Sequence, residues 1–158
     1  MTIEEKIKKY QSFINSELDD MVLPHQINGI SIKGVKESLD YWVPLVNEIS
    51  DMLIVLTSTG VPWDREDVYN SYVESIKDDS DDINKKLNAI EMGYYSNGVD
   101  FIVSGGFSKG YRTPWKDPNS GTYIAQNYGN GTSFGHLKLN FIDNKYLGYD
   151  FAVKNNLS

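Results

Sequence analysis

The hydrophobic period of this chain changes once, near Met92, and that change limits the folds open to it. Before Met92, apolar residues return every three or four positions; after it, they return every second position. The first spacing lines one stripe of an α-helix and the second lines one face of a β-strand. A chain of 158 residues with helical patterning first and strand patterning second reads as an α+β protein. The expectation is about four N-terminal helices over residues 1–92, then a small antiparallel β-sheet with a C-terminal hairpin over residues 93–158. The two parts are expected to form one compact domain, long enough to bury a core without metal or disulfide staples.

Thr2 and Glu5 have capping-box spacing, and Ile3, Ile7, Tyr10, Ile14 and Leu18 follow as a helical stripe that ends before Pro24. Asn28-Gly29 is a turn signal, with Ile30 and Ile32 alternating behind it. The longest stripe is Val35, Leu39, Trp42, Val46, Ile49, Leu53 and Leu56. Pro44 interrupts it, and proline removes a backbone donor, so a kink or a fresh helix start is expected there. Its end, "MLIVLTS", also fits a buried strand. A third helix over 61–76 turns Val68, Tyr72 and Ile76 inward. A fourth over 78–93 turns Ile83, Leu87 and Ile90 inward and stops at Gly93. Two stripes approach heptad spacing, which admits a homo-oligomer through the N-terminal helices beside the simpler reading, packing within the domain.

Beyond Met92 the signals are those of sheet. Asn97-Gly98 is a hairpin-turn dipeptide, and Val99, Phe101 and Val103 alternate after it. "GTYIAQNY" at 121–128 adds a candidate strand. Leu137, Leu139 and Phe141 alternate on one arm of a hairpin, and Leu147, Tyr149, Phe151 and Val153 on the other, with Asp143-Asn144 at its turn. His136, Lys138, Asn140 and Asp150 occupy the opposite face, which can meet water.

Charge and composition exclude several functions. A formal net charge of −7 opposes general nucleic-acid binding, which needs basic patches. Cysteine is absent, so disulfides, thiolate metal sites and a cysteine nucleophile are excluded. "MTIEEKIKKY" has no apolar signal core, and no run is long enough for a membrane span. The expected location is the cytoplasm or the inside of an assembled particle, with no membrane partner.

The chemical motifs fail on spacing. "VSGGFSKGYRTP" follows an apolar strand as a phosphate loop would, but Lys109 precedes Gly110 and no helix opens behind it. "DDSDD" at 78–82 starts like a calcium loop but lacks its glycine, and Ala89 stands where a bidentate acid is needed. His25 and His136 lie in different segments, with no zinc spacing. No Gly-x-Ser-x-Gly elbow is present. A strand ending in Ser-Gly-Gly, a long loop and a terminal hairpin are similar to the closing strands of metallophosphoesterases. The chain lacks the Asp-x-His and Gly-Asn-His motifs of those enzymes and is short for them, which sets that family aside. No cofactor or metal is expected.

What remains is a segment of aromatics interleaved with Gly, Ser and Asn, a composition that suits protein recognition. The expected binding residues are Tyr111, Arg112, Trp115, Lys116, Tyr123 and Tyr128, held on an exposed loop; Tyr111, Arg112 and Trp115 carry the most weight. The expected function is a non-catalytic interaction or assembly module, such as a virion structural or adhesion component, that contacts another protein or a surface glycan. One alternative is a small inhibitor or immunity-type protein that blocks one partner. Another is an acid–base hydrolase with carboxylates from 64–67 or 78–82 near the aromatic loop.

Overall fold

A computed structural model of the chain describes residues 33–78, 86–106, 109–143 and 145–155. The helix expected over residues 2–18 lies outside the described residues, as do His25 and most of the acidic run 78–82. The protein is α+β and ends in an antiparallel hairpin. Among the described residues there are three helices: α1 Val35–Asn47, α2 Arg65–Asp78 and α3 Ala89–Tyr94. The strands are β1 Ile54–Thr57, β2 Phe101–Ser104, β3 Trp115–Lys116, β4 Tyr123–Gln126, β5 Ser133–Ile142 and β6 Lys145–Asn155.

The expected antiparallel sheet is a mixed one. Its strand order is β1-β2-β4-β3, with β1 and β4 both parallel to β2 and only β3 antiparallel. Parallel neighbours need a crossover, and α2 and α3 supply it between β1 and β2. Asn97-Gly98 therefore turns the chain from a helix into a strand and closes no hairpin; Gly98 has φ +88° there, and its carbonyl accepts a 3.0 Å bond from Asn47 Nδ2.

The long stripe that reads as helix from Val35 to Leu56 divides in two. The helical part runs through Pro44, which stands on the exposed side of α1, and ends at Asn47. Ser50 Oγ donates to the Val46 carbonyl just past that end. Of the rest, Ile49 lies in the turn after the helix, Leu53 just before the edge strand β1 and Leu56 within it, so the "MLIVLTS" end takes the strand alternative that period alone leaves open. The fourth helix is short. It begins at Ala89 because Asn88 caps it: its side chain accepts from Ile90 N and Glu91 N, and Glu91 Oε2 accepts from Asn88 N. Gly93 lies inside this helix and does not end it. A Cβ there would sit 2.6 Å from Ile124 Cδ1, so glycine is what lets α3 lie close on β4.

Register divides the mixed sheet into two faces. Val55, Ile102 and Ile124 are direct neighbours, with Trp115 paired to Ile124. All four are buried, beneath α2 and α3. Tyr69 of α2 covers Trp115 at 5.2 Å between ring centroids. On the opposite face Phe101 stacks on Tyr123 at 5.3 Å, and Tyr149 of β6 packs edge-on against both. The hairpin thus covers one end of that face and leaves Leu56, 67 % exposed, at the other.

Candidate functional site

Because β1, β2 and β4 run the same way, their C-terminal ends lie along one edge. Thr57, Ser104 and Gln126 stand side by side there. The described segments that leave this edge are residues 58–64, 105–106 with 109–114, and 127–132. Outside such ends is where open α/β sheets gather ligand-contacting loops.

Two glycines fit the middle loop between the other two. Gly106 has φ +96°, and a Cβ there would lie 2.1 Å from the Ser58 carbonyl oxygen. At Gly110 a Cβ would lie 2.5 Å from Tyr128 N and 2.9 Å from the Gln126 carbonyl oxygen. Backbone bonds complete the join: Gly105 N donates to Thr57 O at 2.9 Å and Tyr111 N to Gln126 O at 2.9 Å. Gln126 Nε2 donates to Lys109 O at 2.7 Å. The glycines that resemble a phosphate cradle in sequence are there for close backbone packing.

The six expected binding residues have three different fates, and the structure does not bring them together. Tyr111 is only 7 % exposed, which overturns its place on an exposed loop. Its hydroxyl donates to the Pro62 carbonyl at 2.6 Å, and the Arg65 guanidinium lies 4.9 Å over its ring. Burial pushes its hydroxyl up to about 12, with Glu66 and Asp64 adding to the rise and Arg65 opposing it. Trp115 is also buried, at 8 % exposure, because strand pairing turns it under α2. Lys116 and Tyr123 pair on the opposite face, with the ammonium 5.3 Å over the ring, next to the hairpin. Arg112 is exposed at the C-terminal edge, and half-buried Tyr128 follows β4 on the same edge. The stretch 117–121 is a closed turn and not a free loop: Asp117 Oδ1 accepts from Asn119 N, Ser120 N and Ser120 Oγ.

Two residues at this edge, Trp63 and Lys109, are not among the six expected binding residues. Trp63 is 61 % exposed, in the loop between β1 and α2. Lys109 Nζ lies 5.7 Å over its ring. Arg65 Nη1 reaches the Thr113 carbonyl at 3.5 Å, so the 62–65 and 109–113 segments form one surface. That surface holds Arg65, Lys109 and Arg112 beside Asp64 and Glu66, and Glu66 pairs with Arg65 at 3.0 Å. The available sign of Trp63 was its position: it stands between Pro62 and the acidic first turn of the third helix and lies off every helical stripe.

The acidic residues gather elsewhere. Asp64, Asp67 and Glu91 line an open groove of about 430 Å³ with Val68, Ser71, Tyr72 and Ser75. Glu91 is held there by its capping bond to Asn88 N at 2.9 Å. The Tyr72 hydroxyl donates to Tyr95 Oη at 2.8 Å, and burial together with that bond raises its pKa above the ordinary range. Ser104 Oγ is buried without a hydrogen-bond partner among the described residues, so no base is bonded to it. Among the described residues no group of three or more His, Cys, Asp and Glu is arranged to hold a metal ion. None of the described helices is long and apolar enough to cross a membrane. No protein family, curated protein or solved structure matches this chain.

Proposed function

We propose that the protein is a non-catalytic interaction module that holds another protein at the C-terminal edge of its parallel strands. The contact surface is Trp63, Lys109 and Arg112, with Tyr128 at its border. The observation that carries this reading is the exposure of Trp63, 61 %, with the Lys109 ammonium over its ring. An indole left in water is a source of binding free energy, and Trp and Arg are the side chains most often found at interface hot spots. Lysine on an aromatic face gains further when a partner excludes water from it. The same surface serves an assembly component or a blocking inhibitor.

The groove of Asp64, Asp67 and Glu91 supports the hydrolase reading less. One of its carboxylates is committed to a helix cap, and its tyrosine donates to a neighbour.

The test is affinity capture with the wild type, Trp63→Ala, Arg112→Ala and a remote surface control, Asn97→Ala, exposed in the turn before β2. A protein retained by wild type and control is then purified and titrated against all four. Each edge variant is expected to weaken binding by about 2 kcal/mol or more, roughly thirtyfold. Equal affinity for all four would place the contact elsewhere.

A further inference from the structure

The two edges of the mixed sheet differ. The β3 edge is two residues long, holds Lys116 and has Pro114 and Pro118 close on either side. Shortness, lysine and proline are what keep a sheet edge from pairing with another strand. The β1 edge, "IVLT", has no charge and no proline. Backbone direction fixes which of its groups face outward. Phe101 N donates to Leu53 O at 3.3 Å and Gly105 N to Thr57 O at 2.9 Å, so Leu53 and Thr57, with Val55 in phase between them, turn their backbone groups to β2. The intervening residues, Ile54 and Leu56, turn theirs the other way. Those N–H and C=O groups have no partner among the described residues. Their side chains stand on the face that the hairpin leaves open, Ile54 at 39 % and Leu56 at 67 % exposure, beside Val103 at 36 %.

We propose that β1 pairs with β1 of a second copy of this chain, antiparallel, about a two-fold axis at Val55. Ile54 then lies opposite Leu56 of the second copy. Both residues have outward N–H and C=O groups, which is what a hydrogen-bonded antiparallel pair requires. The axis repeats the pair, so every outward group of Ile54 and Leu56 in both copies is satisfied. The occupant is a second copy because this edge complements itself: the two residues that offer free backbone groups are both apolar, and each meets the other across the axis. On the open face their side chains come side by side and leave water. The same register sets Leu53 opposite Thr57 and Asp51 opposite Thr59, so no acid meets an acid although each copy carries a net charge of −7. A patch that contacts itself about a two-fold axis is the commonest route to a closed oligomer.

Light scattering on the full chain, diluted from about 1 mM to about 1 µM, should show the mass fall from two chains to one. Leu56→Lys guards the edge and should move that transition about tenfold or more to higher concentration. Asn97→Lys, in an exposed turn, should leave it in place. The chain has no cysteine, so introduced thiols report the register. Ile54→Cys and Leu56→Cys chains are oxidised alone and as an equal mixture. Facing Cα atoms in a hydrogen-bonded pair are about 5.5 Å apart, within disulfide reach, whereas like positions in the two copies meet only on the diagonal, beyond it. The mixture is expected to give about fivefold or more covalent dimer than either variant alone. If Leu56→Lys does not fold, this comparison decides by itself. A wild type that is one chain at every concentration would overturn the second copy in favour of a strand from a different protein. A dimer that Leu56→Lys leaves intact would overturn it too, as would a mixture that cross-links no better than the single variants.

Discussion

Replacing Trp115 by alanine tests whether the aromatic segment belongs to the fold or to a partner. The indole lies at 8 % exposure, on the helix-covered face of β3, opposite Ile124 and 5.2 Å from the Tyr69 ring. A tryptophan buries roughly 150–250 Å², which at about 25 cal/mol per Å² is worth roughly 4–6 kcal/mol. Alanine keeps a small part of that, and β3 is a two-residue edge strand that can settle into part of the space. The expected loss is therefore about 3–5 kcal/mol, in the usual range for a large aromatic reduced to alanine. For a chain of this size that lowers Tm by roughly 6–20 °C. Arg112→Ala is the control, three residues away and exposed, with an expected change within about 0.5 kcal/mol. Urea titrations of the two variants decide the matter. If Trp115→Ala unfolds at the same midpoint as Arg112→Ala, the indole is not part of the core and the strand pairing drawn for β3 is wrong.

Two further outcomes follow from the edge loops. Gly106→Ala meets the Ser58 carbonyl oxygen at 2.1 Å with φ +96°, so it should destabilise by more than the roughly 1–2 kcal/mol of backbone strain alone, whereas Gly121→Ala, at φ +77° with only the flexible Lys116 Cε at 3.9 Å, should cost the strain alone; equal midpoints for the two would contradict the packing of the loops. The raised Tyr111 hydroxyl gives a pH window: the unfolded chain ionises first, near 10, so the stability from the neutral form is complete below that pH and is lost as pH climbs to about 12, by roughly 2–3 kcal/mol. Tyr111→Phe should reduce the alkaline fall in urea midpoint, and an unchanged fall would show that this hydroxyl does not sense folding.

The terminal hairpin is legible in the sequence because its alternation is long and its neighbours are local. Leu137 faces Phe151 and Leu139 faces Tyr149 across β5 and β6. The mixed sheet is less legible, because its strands are four residues or shorter and pair across long distances in sequence. Nothing in "IVLT" says that its partner is "FIVS", some forty-five residues on, or that the two run parallel. The end of α1 was hidden by arithmetic: Ile49, Leu53 and Leu56 continue the helical spacing although the helix has ended at Asn47 and β1 begins at Ile54. The burial of Tyr111 and Trp115 escaped the sequence for a related reason. Aromatics among glycines and serines have the composition of a recognition loop, yet a two-residue strand is enough to turn Trp115 inward and leave its neighbour Lys116 outside.

The burial of Tyr111 strengthens the case for an interaction surface rather than removing it. A loop of glycines, serines and lysines free in solution would have to be ordered on contact, at a cost that comes out of affinity. Here the ordering is done by the fold. Tyr111 is bonded to the Pro62 carbonyl and lies beneath Arg65, and Gly110 is seated against the exit of β4. Those contacts fix the backbone between Lys109 and Arg112, and they hold it against the segment that carries Trp63. Exposed residues on a rigid support meet a partner with little backbone entropy left to lose. On the proposed reading, Tyr111, which the sequence marks as a contact, serves instead as the support beneath Trp63, Lys109 and Arg112.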